Sequence, residues 1–171
     1  MPDKKTIEKA KRDRREGKSA STQAGEFVRA EIEKIRHGEH GARSPQQAIA
    51  IGLSEARRAG VPLPPPKKGQ TKKRARKSAT YAYEAGQHKR KTTRRPKVSR
   101  AVSNVLKHEP KGTVSHKALS RQSKQASARR SAASRSEAAR KGARTKGAAG
   151  RSAAAKKAAR TRASRKGWRH R

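Results

Sequence analysis

From residue 63 to its end the chain carries 35 Lys and Arg against three acidic residues, and this excess most limits what it can fold into. Residues 1–62 are closer to balance, with 14 basic and nine acidic side chains. Of the formal net charge of +37, +32 therefore lies beyond residue 62. Like charges at that density repel one another and call for a polyanion to neutralise them. The apolar content gives little help: 29% of the 171 residues are hydrophobic, and the aromatics are Phe27, Tyr81, Tyr83 and Trp168. Low hydrophobicity with high net charge predicts extensive disorder, because too little apolar surface can be buried to offset chain entropy.

Several functional classes drop out early. There is no Cys, which removes disulfides and thiolate metal sites and fits a reducing compartment. No apolar run approaches the ~18 residues of a membrane span, and Met1 to Arg15 lacks the apolar segment of a secretory signal. Asp3, Glu8 and Asp13 argue against an organelle transit peptide. The expected setting is the cytoplasm, with no membrane partner.

The expected fold class is mainly α with extensive disorder. Four zones are expected: a charged leader at 1–20, an αα-hairpin at 21–61, a Pro/Lys/Arg-rich linker at 62–98, and a basic Ala/Ser/Lys/Arg tail at 99–171. Lys4 to Glu16 reads as a solvated helix, since Ile7 is its single large aliphatic. The run Pro62-Leu63-Pro64-Pro65-Pro66 favours extended polyproline II. A short helix is expected near 99–108, with Val102, Val105 and Leu106 at helical spacing.

The hairpin carries the best local signals. Ser21 or Thr22 caps a first helix running to about Arg36, with Ala24, Phe27, Val28, Ile32 and Ile35 on one arc. Glu31 falls inside that arc, in conflict with it. Gly38 marks the stop. In the second helix Ser44-Pro45-Gln46-Gln47 supplies an N-cap, Pro at the first position and Gln at the third. Ile49, Gly52, Leu53 and Ala56 line its apolar face. Gly60 with Val61 and Pro62 closes it, and Arg57 and Arg58 suit the negative end of its dipole. Ile51 points away from that face, so a homo-oligomer through the 21–61 hairpin, or docking of Val102, Val105 and Leu106 onto it, is expected.

The candidate functional residues are cations, whose chemistry is displacement of condensed counterions from a phosphate backbone. Those of the linker are Lys67, Lys68, Lys72, Lys73, Arg74, Arg76 and Lys77, followed by Lys89, Arg90, Lys91, Arg94 and Arg95. In the tail they are Arg129, Arg130, Arg135, Arg140, Lys141 and Arg144, then Arg151, Lys156, Lys157, Arg160, Arg162, Arg165 and Lys166. The tail also repeats itself: RSEAARKGART at 135–145 returns as RSAAAKKAART at 151–161, identical at eight of eleven positions. Lacking large apolar side chains, each copy presents charge and cannot pack as a solenoid. Tyr81, Tyr83 and Trp168 are too scattered for a base-stacking platform. His37-Gly38-Glu39-His40 lacks the further ligands of a metal site. No catalytic residue, metal or cofactor is expected, and no enzyme.

Residues 44–60, SPQQAIAIGLSEARRAG, resemble a segment of small basic bacterial proteins of an uncharacterised family, which supplies no activity. Through AARKGART and SAAAKKAARTRAS the tail resembles the arms of bacterial histone-H1-like nucleoid proteins. That resemblance implies non-sequence-specific DNA binding and compaction by phosphate neutralisation. Extended basic arms serve RNA equally well, so an RNA-binding or ribosome-associated protein is the alternative, with DNA the favoured partner. A sequence-specific transcriptional regulator, reading bases with Gln46, Gln47, Ser54, Arg57 and Arg58, is the third reading. It conflicts with so large a non-specific charge.

Overall fold

The second and third helices each begin at a serine whose side chain caps the first turn. In the computed structural model, which describes residues 3–91 and 95–168 and side chains as far as Ser164, α1 spans Lys4–Arg15, α2 Ala20–Arg36 and α3 Pro45–Arg58. Ser19 caps α2, its Oγ accepting from Thr22 N, and Ser44 caps α3, its Oγ accepting from Gln47 N at 3.2 Å. The cap of α2 thus sits before the expected Ser21 or Thr22. At the other end of α3, Gly60 N donates to Arg57 O and Val61 N to Ala56 O, both at 3.1 Å. This is the six-to-one closure that a Gly after a helix permits, and it seats Val61 in the core.

The chain remains helical well past the hairpin. α4 runs Lys73–Gly86, α5 Pro96–His108, a 3₁₀ turn Gly112–Val114, α6 His116–Ala128 and α7 Ala132–Trp168. No strand occurs among the described residues. Extensive disorder is therefore replaced by helix, and the short helix near 99–108 starts at Pro96. The chain divides into two units, Met1–Gln122 and Ser123–Arg171.

In the first unit, α1, α2, α3 and α4 pack in succession. One apolar cluster holds Ala10, Ala24, Phe27, Ala56 and Val61, flanked by Ile7, Leu53 and Leu63. Burying a ring such as Phe27 stabilises the fold by about 1.5–3 kcal/mol. The leader is thus not a solvated helix, because Thr6, Ala10 and Asp13 are buried against α2. Lys18 Nζ lies 2.8 Å from Asp13 and pairs with that buried carboxylate.

The expected α3 face is also rotated. Ala48, Gly52 and Ala56 are buried, whereas Ile49, Ile51 and Leu53 are half-buried. Gly52 explains the rotation, since a Cβ there would stand 2.7 Å from the Val28 Cα. The backbones of α2 and α3 approach at this point, which only a residue without a side chain permits. Within the expected linker, α4 packs on α3 by the same device. Its buried residues are Ala79, Ala82 and Gly86, with Gly86 directly against the Arg57 carbonyl. The segment before it is non-helical. There the buried Arg57 guanidinium donates to Leu63 O (3.2 Å) and Pro64 O (3.3 Å), fixing the proline-rich stretch to the end of α3. Burial lowers the Arg57 pKa.

A second cluster, Ile35, Ala42, Ala48 and Val114 with Ile32 beside it, closes the turn between α2 and α3. Val114 arrives from far along the chain. Arg36 donates through Nε and Nη2 to Val114 O at 3.2 and 3.0 Å, and Thr113 Oγ1 to Ala42 O at 2.8 Å. Gly41 N donates to Leu106 O and Ala42 N to Pro110 O. The segment after the linker does dock, but through Val114. Val102 and Val105 remain exposed and Leu106 is half-buried, so the expected apolar docking of α5 does not occur.

Glu31, the misfit of the α2 arc, is fully buried. His40 Nε2 lies 3.5 Å from its Oε1, an oxygen with no hydrogen-bond partner among the described residues. Burial raises the Glu31 carboxyl above its ordinary range, and the charge of His40 pulls it back.

Candidate nucleic-acid interface

The basic residues are positioned in three different ways. Lys67 and Lys68 precede α4 and Lys72 is its N-cap residue, while Lys73, Arg74, Arg76 and Lys77 occupy its first turns. The burial of Ala79, Ala82 and Gly86 turns α4 so that Arg74, Lys77 and Tyr81, at i, i+3 and i+7, face outward. No acidic residue stands in that first turn. Four cations at the positive end of a helix dipole raise the local potential, which favours a bound anion.

Lys89, Arg90 and Lys91 follow α4 and are exposed. The Arg90 guanidinium sits 4.8 Å over the centre of the Tyr81 ring and 3.4 Å from Glu84. Together with Arg76, Lys77 and Thr80 these residues line a shallow cleft of about 450 Å³. Tyr81 is thereby joined to cations of its own helix and of the following turn, whereas Tyr83 is half-buried. Arg95 is the N-cap residue of α5 and is exposed; Arg94 lies outside the described residues.

The remaining candidates lie in the second unit. Arg129 and Arg130 join α6 to α7, with Arg130 bonded to Ser134. Arg135, Arg140, Lys141 and Arg144 fall in the first half of α7, and Arg151, Lys156, Lys157, Arg160 and Arg162 in its second; all are exposed. The side chains of Arg165, Lys166 and Trp168 lie outside the described residues. Among the described residues, Arg90 is the one cation beyond residue 62 that forms an ion pair. The structure thus brings the α4 candidates and Arg90 together and strings those from Arg135 onward along α7.

Other cations that looked equivalent in sequence are committed to the fold. Arg36 and Arg57 hold backbone carbonyls, and Arg43 pairs with Glu109 at 3.2 Å. On α3, Gln47 Oε1 accepts from Arg43 N, Gln46 bonds Gln122, and Ser54 is half-buried. Of the side chains that would read bases from α3, only Arg58 is exposed without a described bond. The Tyr81–Arg90 pair is the feature that sequence reasoning missed. Its one available signal was the nine-residue spacing across a helix end.

No helix among the described residues is long and apolar enough to cross a membrane. Residues 3–68 match the profile of a family of unknown function (DUF6496), so α1, α2, α3 and the proline-rich segment carry that likeness. No curated protein and no solved structure matches the chain.

Proposed function

We propose that this protein binds nucleic acid through its phosphate backbone, with duplex DNA as the favoured partner, and compacts it without sequence preference. The observation that carries the reading is the cation array of residues 63–171, exposed and almost unpaired among the described residues. Each Lys or Arg that neutralises a phosphate releases a condensed counterion, so binding is driven by charge and weakened by salt. About 6–10 such contacts lose ~10³–10⁵ in affinity between 50 and 200 mM salt. A chain with this many cations exceeds that number, and one molecule has enough of them to bridge two duplex segments. In this reading the first unit is a helical platform and the chain acts by binding, at the nucleoid, without catalysis.

A second reading, RNA or ribosome association, draws on Tyr81 under Arg90, where an unpaired base has a ring and a guanidinium to stack on. The test is competition between duplex DNA and structured RNA for the nuclease-treated protein at ~150 mM salt, the range in which phosphate contacts are screened. The expected result is duplex DNA retention that declines steeply with potassium chloride. Strong RNA preference transfers the function to the second reading. Indifference to both polymers, or tight binding insensitive to salt, removes the whole proposal.

A further inference from the structure

α7 is not one rod. Gly147, at φ 64° and ψ 179°, interrupts it between the two copies of the sequence repeat. That backbone region is essentially reserved for Gly. The segments on either side, Ala132–Lys146 and Ala148–Trp168, are about 22 and about 31 Å long at 1.5 Å per residue. Arg151 braces the joint from the second segment, its Nη1 donating to Ala143 O at 2.8 Å.

At 100° per residue the cations of each segment fall on two opposed flanks. In the first, Arg140, Lys141 and Arg144 form one flank and Arg135 with Lys146 the other. An offset of sixteen residues reproduces the same angles, so Lys156, Lys157 and Arg160 stand opposite Arg151 and Arg162. As far as Arg162 the two faces between the flanks carry only small side chains, Ala138 and Thr145 on one and Ser136 and Ala143 on the other in the first segment. The hydroxyls of Thr145 and Thr161 turn back to the carbonyls of Lys141 and Lys157, both at 3.0 Å, keeping those faces smooth.

Resting on the duplex-binding reading above, we infer that each α7 segment lies lengthwise in the major groove of B-form DNA, its two cationic flanks meeting the phosphates of the two strands, with Gly147 as the joint. A groove about 12 Å wide accepts a helix of about 10–12 Å diameter, and an Ala-rich helix is at the slender end. A helix on the outside of a duplex would use one flank and leave the other unneutralised. Length requires the joint: as a single straight helix, 37 residues would run about 55 Å. The groove winds through a full turn in about 34–36 Å, so a straight rod of that length leaves it. Each segment is shorter than one turn. The major groove of A-form RNA is too deep and narrow to take the helix, which makes duplex DNA the substrate of this geometry.

Dimethyl sulfate footprinting tests this with the full chain on a mixed-sequence duplex of about 20 base pairs, long enough for both segments. The reagent methylates guanine N7 in the major groove and adenine N3 in the minor groove. The expected result is protection of N7 with N3 unchanged, together with weaker binding of the same sequence as duplex RNA. Gly147→Ala, which favours a straight α7, should weaken binding to that duplex about threefold to tenfold, the loss of one or two phosphate contacts. Protection of N3 alone, or tight DNA binding with neither atom protected, overturns the groove assignment and leaves duplex binding standing. Equal or tighter binding of duplex RNA overturns it as well. Failure to bind DNA at all removes both.

Discussion

α4 and α7 are almost equally basic, with four cations in 14 residues and twelve in 37, yet α4 is part of a core and α7 is exposed nearly throughout. The difference lies in where the small residues fall. In α4, Ala79, Ala82 and Gly86 share one stripe, and all three are buried. Two helices can then approach closely enough for backbone contact, and the cations are left on the outer side. In α7 small residues occupy two opposed faces with cations between them, so no single face can be buried without taking charge along. Segregation of small side chains, and not charge content, decides whether a basic helix joins a core. The comparison also separates two jobs. The Met1–Gln122 unit commits Arg36 and Arg57, on α2 and α3, to backbone carbonyls outside their own helices, whereas the described cations of α7 are exposed.

The largest expected effect tests that division of labour. Truncation after Gln122 removes 17 Lys and Arg and one acidic residue and leaves the packed clusters whole. Affinity for duplex DNA should fall by about 10³ or more, and the slope of log K against log salt should drop to roughly half or less. An unchanged salt slope would move the interface to α4 and break the comparison.

Gly52→Val strikes the other side of it. A side chain there meets the Val28 backbone at 2.7 Å, so α2 and α3 must separate. The expected cost is about 1–3 kcal/mol, read as a lower denaturation midpoint. DNA affinity at temperatures where the variant is folded should hardly change. Loss of affinity without loss of stability would show that the platform and the cation array are not separable.

Glu31 sharpens the contrast through pH. Its carboxyl is raised on folding, chiefly by burial, against the ordinary 4.5. A raised acid binds its proton more tightly in the folded chain than in the unfolded one. The stability it confers is therefore complete below about 4.5 and is lost as pH rises through the folded value. His40 on the turn faces it at 3.5 Å, with Glu55 of α3 and with Lys34 and Glu39 also acting on it. Glu31→Gln should flatten the loss of stability above that pH, measured by thermal denaturation across a pH series. An unchanged profile would show that Glu31 does not set it. α7 should show no such dependence on this residue.

Sequence made some of this legible and hid the rest for definite reasons. α3 was readable because Ser44, Pro45, Gly60 and Val61 are local signals acting within one turn of their targets. α4 was concealed because its packing surface is Ala and Gly, which add little to any hydrophobic periodicity. The Val114 contact was out of reach, since Arg36 and Val114 are 78 residues apart. Glu31 was visible as a misfit, but its partner His40 becomes apparent only once the turn is folded. For the interface, sequence supplied the residue types and the repeat. The two-flanked arrangement needed the knowledge that both copies are helical and that Gly147 separates them.

The smallest expected effect isolates the principle. Gly142 lies on the exposed surface of α7, where an added Cβ meets nothing within 4 Å. Gly142→Ala should therefore gain the helix propensity alone, about 0.5–1 kcal/mol. Far-ultraviolet circular dichroism should show a modest gain in helix content with the unfolding of the Met1–Gln122 unit unchanged. A methyl group thus strengthens α7 where a larger side chain at Gly52 breaks the platform, because one helix has a neighbour at van der Waals distance and the other has solvent. Reduced helicity in Gly142→Ala would mean that this face is already covered, and the exposure on which the comparison rests would have to be given up.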